Sequence, residues 1–61
     1  MDPDSCLSEI RTLVKRINTR LDKDVHPEPD DVAKLAEHIQ ALDEWMSKGG
    51  FKPSAWHRGA R

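Results

Sequence analysis

The segment from Asp30 to Phe51 constrains the fold more than any other part of the sequence, because it carries a regular amphipathic pattern. Its apolar residues recur at spacings of three and four: Val32, Leu35, Ile39, Leu42 and Met46. This spacing places them on one side of an α-helix, at positions that pack against a neighbouring helix. Pro29 suits a first helical position, and Gly49 suits the left-handed residue after a last turn. The pattern predicts a helix over about 29–47.

The first third of the chain carries the same pattern. Its apolar residues again alternate between spacings of three and four: Leu7, Ile10, Val14, Ile17 and Leu21. Asp2 suits a helix N-cap, and Pro3 suits the position after it. We therefore predict a first helix over about 3–22. Pro27 and Pro29 prevent it from continuing into the second helix, since proline lacks the N–H that a helix interior needs.

Two amphipathic helices joined by a short connector predict an all-α fold, an antiparallel αα-hairpin in which the two apolar rows form the seam. The segment 4–23 carries five basic and three acidic residues, whereas 28–47 carries one basic and six acidic residues. This difference favours the side-by-side pairing. The 61 residues form one domain, and so small a domain buries little core alone. We expect the tail 48–61 to pack back on the hairpin and two hairpins to pair into a four-helix bundle.

Composition excludes several classes of protein. The formal net charge of −1 predicts no bulk attraction to nucleic acid or acidic membranes. No apolar run approaches the roughly 20 residues that span a bilayer. A single cysteine, Cys6, cannot form an internal disulfide and fits a reducing compartment. We expect a cytoplasmic protein.

The residues that could carry chemistry are few and scattered. His26, His38 and His57 with Cys6 match no metal-ligand spacing. Cys6 near a helix start could be a nucleophile, but no orienting third group is visible. We therefore predict no catalytic residue, no metal and no cofactor, and we expect that the chain is not an enzyme.

Aromatic residues indicate where a partner would bind, because they dominate the energetics of interfaces. Four residues on the flanks of the helices and in the tail are the candidates for partner binding: Leu13, Trp45, Phe51 and Trp56. The partner would be a second copy or a larger protein. The less favoured alternative is a nucleic acid bound by the basic tail. Its candidate contacts are Lys48, Lys52, His57, Arg58 and Arg61.

The segment 41–51, ALDEWMSKGGF, followed by Pro53 and Trp56, resembles small proteins of actinobacteria and their phages. In those proteins a helix ending in leucine, aspartate and tryptophan runs into a serine-basic-glycine-glycine turn, then proline and tryptophan. They mostly lack an assigned function, so no site residue is carried over. The resemblance implies a small phage or actinobacterial accessory protein, and a phage version would bind and modulate a host protein.

Overall fold

The computed structural model describes residues 2–57, and its architecture is two helices and a short turn. Helix α1 spans Pro3–Asp22 and helix α2 spans Pro29–Ser47, followed by a 3₁₀ turn over Ser54–Trp56. The described residues contain no strand. The predicted helical hairpin is confirmed, and both helices have the predicted bounds.

The start of α1 is capped by side chains. Asp2 precedes the first turn in an extended conformation, and its carboxylate accepts a hydrogen bond from the Asp4 N–H at 3.0 Å. The Ser5 hydroxyl donates to the other carboxylate oxygen at 3.0 Å, and this hydrogen bond lowers the pKa of Asp2. Helix α2 starts at Pro29 without such a cap, because the side chain of Glu28 makes no capping hydrogen bond.

Both helices end in the same backbone arrangement. After α1, Asp24 has a left-handed φ of 62°, and the Val25 N–H donates back to the Arg20 carbonyl at 2.9 Å. After α2, Gly49 has a φ of 91°, and the Gly50 N–H donates back to the Trp45 carbonyl at 2.9 Å. These are Schellman motifs, which satisfy the last helical carbonyls. An aspartate occupies the left-handed position in the first motif, where glycine is the usual residue.

Three contacts between the two halves of the hairpin show that the helices are antiparallel. The Cys6 thiol lies 3.3 Å from the His38 carbonyl oxygen. Further along α1, Arg16 pairs with Asp31 at 3.2 Å and Arg20 with Glu28 at 3.0 Å. The partner number falls as the α1 number rises. The Arg16–Asp31 pair also neutralises a buried carboxylate, since the Asp31 side chain is almost enclosed while that of Arg16 is exposed.

The seam between the helices contains only part of the two predicted rows. The core cluster consists of Cys6, Ile10 and Leu42, with Leu35, Trp45 and Met46 packed against it. Leu13 is also buried. Four predicted seam residues are instead exposed: Val14, Leu21, Val32 and Ile39. The prediction that these four face the other helix of the hairpin is wrong, because the residues just before them, such as Leu13 and Asp31, are turned inward instead.

The segment after α2 makes contacts with both helices. The Trp45 indole N–H donates to the Phe51 carbonyl at 2.9 Å, and the two rings meet edge to face with centroids 5.4 Å apart. Further on, the backbone N–H and hydroxyl of Ser54 donate to the Asp4 carboxylate, the hydroxyl at 2.9 Å. Pro3 and Pro53 are fully buried. These contacts place residues 51–54 at the end of the hairpin where α1 begins.

Candidate functional site

The most distinctive surface is a set of four exposed aliphatic side chains, which we call the open face: Val14, Leu21, Val32 and Ile39. Their exposed fractions run from 39% for Val14 to 54% for Leu21. Within each helix the two residues are seven positions apart. A spacing of seven places both side chains of a pair in one row along the helix.

Each residue of the open face follows an inward-facing residue by one position. On α1, Val14 follows buried Leu13. On α2, Val32 follows buried Asp31, and Ile39 follows half-buried His38. One residue turns a helix by about 100°. Because the helices are antiparallel, the same turn on each brings all four side chains to the same side of the hairpin.

The tail limits the open face at one end. Leu7 and Met46 continue the two rows by one further heptad, and neither is exposed. Leu7 lines a shallow groove together with Ser54 and Ala55 of the tail. The α1 row is therefore covered at Leu7 and exposed at Val14 and Leu21.

The structure distributes the four predicted partner-binding residues over different environments. Leu13 is only 4% exposed and lies on the inward face of α1, so we leave it out of the contact surface. Trp45 is half-buried against the core cluster, with its N–H engaged by Phe51. Phe51 is 65% exposed and Trp56 39% exposed. The structure therefore leaves the tail aromatics accessible and makes Trp45 mainly a core residue.

The open face could not be singled out from the sequence, although all four residues were visible there as members of the apolar rows. The available signal was the width of the rows. Leu13 beside Val14, and Cys6 beside Leu7, show that α1 has apolar residues on more than one narrow stripe. A stripe that is wider than one seam predicts a second packing surface.

The basic tail residues are exposed where the structure describes them. This holds for Lys48, Lys52 and His57. Arg58 and Arg61, the other two candidates for nucleic-acid contact, lie outside the described residues. Within residues 51–57 the exposed rings of Phe51 and Trp56 therefore lie close in sequence to exposed basic groups.

Cys6 is a buried member of the core cluster. Burial raises the pKa of its thiol, and the thiolate is the reactive form. The thiol lies 4.0 Å from the His38 Nδ1 but 3.3 Å from the His38 carbonyl oxygen. Within residues 2–57, no group of three or more His, Cys, Asp or Glu side chains is arranged to hold a metal ion.

A second concavity lies at the connector end of the hairpin, with a volume of about 770 Å³. Its charged lining consists of Lys15, Arg16, Arg20, Lys23, Lys34, Glu28, Asp30 and Asp31. Two of these carboxylates already pair with arginines across the helices. The groove is therefore a mixed-charge surface in which two of the carboxylates are already paired with arginines of the same chain.

No protein-family model, curated protein or solved structure matches this chain. Neither α1 nor α2, the two long helices in the part of the chain that the structure describes, is apolar enough over a sufficient length to cross a membrane.

Proposed function

We propose that this protein is a non-enzymatic interaction module whose open face is covered by another protein surface. The observation that carries the proposal is the exposure of Val14, Leu21, Val32 and Ile39 on one side of the hairpin. Single exposed aliphatic residues are normal, but a contiguous apolar area indicates a contact site.

The energy available from this face supports a specific contact. Full burial of a valine, leucine or isoleucine side chain is worth about 1.5–3 kcal/mol. About half of each of the four side chains remains exposed, so covering them yields roughly 3–6 kcal/mol per chain. This free energy is close to the lower end of the net stability of a small domain. Covering the open face therefore changes both the stability and the association of a 61-residue chain.

Two kinds of occupant fit the proposal. A second copy would complete a four-helix bundle, and a larger protein would present its own apolar helix or groove. Phe51 and Trp56 offer further exposed aromatic area in the tail. The resemblance of residues 41–56 to small actinobacterial and phage proteins supports an accessory role, including modulation of a host protein by a phage-encoded chain.

Photo-crosslinking tests the proposal in the cells that make the protein. A photoreactive amino acid replaces Ile39 of the open face, and the matched control carries it at Ala41, an exposed position two residues further along α2. We expect protein adducts from position 39 and few from position 41, because two residues turn a helix by about 200°. The same adducts from both positions, or none from position 39, would contradict the proposal.

A second candidate function is nucleic-acid binding by the tail. The observation that favours it is the exposure of Phe51 and Trp56 beside Lys52 and His57, since aromatic rings stack on bases and cations contact phosphates. Titration of a labelled duplex and a labelled single strand at low and high salt tests it. Binding that weakens steeply with salt supports this function, and no binding at low salt excludes it.

A further inference from the structure

We infer that the occupant of the open face is a second copy of this chain, arranged so that α1 of one copy packs against α2 of the other. This inference rests on the proposed function and names the partner of the same surface. Three observations support it: the two apolar rows of the face, the different charges of α1 and α2, and the positions at which the two helices lie side by side.

The shape of the face selects helices as its occupant. Its four side chains form two rows with a spacing of seven, one row on each of two antiparallel helices. Rows of this kind accept the side chains of neighbouring helices in a bundle. The open face of a second copy has the same two rows, so the surface is complementary to itself, as a two-fold contact requires.

Charge selects one of the two possible two-fold arrangements. Helix α1 carries four basic and three acidic residues, whereas α2 carries one basic and five acidic residues. Placing α1 on α1 would also place α2 on α2, with two acidic helices side by side. Placing α1 on α2 brings the basic helix beside the acidic one in both halves of the contact, and charge pairing of this kind sets orientation between helices.

The positions of residues along the helix axes identify which residues meet in the dimer. Within one chain, Arg16 of α1 lies beside Asp31 of α2. A two-fold axis parallel to the helices keeps the same level between α1 of one copy and α2 of the other. Val14 of one copy then faces Val32 of the second copy.

The experiment measures absolute mass by light scattering over a concentration series of the full chain. The wild type is expected to be a dimer that dissociates on dilution. Val14→Glu and Val32→Lys each place a charge in the apolar contact, and each is expected to weaken dimerisation by about 100-fold or more. Thr12→Glu and Ala41→Lys introduce the same charges at exposed positions away from the face, and both are expected to leave the dimer intact.

Mixing tests the arrangement. Equimolar V14E and V32K are expected to form a mixed dimer, because the glutamate and the lysine then face each other while the second valine pair stays unchanged. If far-UV circular dichroism shows both variants folded, failure to recover a dimer on mixing would overturn the packing of α1 of one copy against α2 of the other. A dimer that survives both single substitutions would overturn the assignment to the open face.

A wild type that stays monomeric at every concentration would overturn the second copy as partner. The proposed function would then be judged separately by the adducts from position 39. An adduct with a different protein would leave the interaction module standing without self-association, and the absence of any protein adduct would remove both.

Discussion

Replacing Asp24 with glycine should stabilise this protein, which is unusual for a single substitution. Asp24 is the residue after α1 whose φ is 62°, in the left-handed region. Its N–H donates to the Leu21 carbonyl at 3.0 Å as part of the helix-terminating motif. Glycine can keep this hydrogen bond without a Cβ in an unfavourable position.

The magnitude follows from three contributions. The left-handed conformation costs an L-residue about 1–2 kcal/mol, and aspartate lies at the low end because its short polar side chain tolerates it. Removing a negative charge from the C-terminal end of α1 gains about 0.3–1 kcal/mol. Glycine loses about 0.5–1 kcal/mol through the greater freedom of the unfolded chain. The net expectation for Asp24→Gly is a gain of about 1 kcal/mol.

Urea and thermal unfolding, followed by far-UV circular dichroism at a fixed protein concentration, measure this gain. Constant concentration matters because association raises apparent stability. For a chain of this size, about 1 kcal/mol corresponds to a rise in Tm of about 4–8 °C. The matched control is Lys23→Gly, one residue earlier, where φ is −95° and glycine should cost about 0.5–1 kcal/mol.

Asp24→Asn separates the backbone contribution from the charge, since asparagine removes the charge but keeps a Cβ. We expect Asp24→Asn to be less stable than Asp24→Gly. If the glycine variant is no more stable than the wild type, or if the Lys23 control gains as much, the reasoning about the left-handed position is refuted. If asparagine matches glycine, the gain comes from charge alone.

The remaining predictions concern the second turn and the buried thiol. Gly50→Ala would place a Cβ in steric conflict with the Trp45 ring, so we expect the ring to shift and the protein to lose about 1–3 kcal/mol. Tryptophan fluorescence in a Trp56→Phe background should report the shift, and an unchanged spectrum with unchanged stability would contradict it. Burial raises the pKa of the Cys6 thiol above its ordinary value of 9.0. The contribution of this thiol to the free energy of unfolding is therefore fully present below pH about 9. It is lost as the pH rises further, because the thiol ionises first in the unfolded chain. Urea unfolding between neutral pH and pH about 10.5 should show a shallower loss for Cys6→Ala than for the wild type, and equal slopes would exclude this contribution.

Local sequence signals determined the helices and their ends. The capping aspartate and the proline at the start of α1 act within one turn, and so does the glycine pair after α2. Such interactions involve residues that are neighbours in the chain, so they do not depend on how the helices pack. The left-handed conformation of Asp24 was not predicted, since aspartate is common in many kinds of loop and only the backbone hydrogen bonds distinguish this one.

The candidate site was predictable only in its composition. The alternation of three and four located every apolar residue of both rows, and the aromatic residues of the tail stood out by type. Which residues remain accessible depended on packing. The sequence predicts that Leu13 contacts a partner, but Leu13 is buried; it predicts that Val14 and Ile39 lie in the seam, but both are exposed.

By itself, the sequence determined two amphipathic helices, a proline-containing connector and a hairpin. Only the tertiary structure decided how each helix is rotated about its own axis. The apolar stripe of α1 is wide enough to turn either Leu13 or Val14 toward α2, because neighbouring residues differ by about 100° around the helix axis. That choice depends on contacts between residues far apart in the chain. Trp45 and Met46 pack against the cluster of Cys6 and Leu42, and these contacts turn one half of each apolar row inward and leave the other half open.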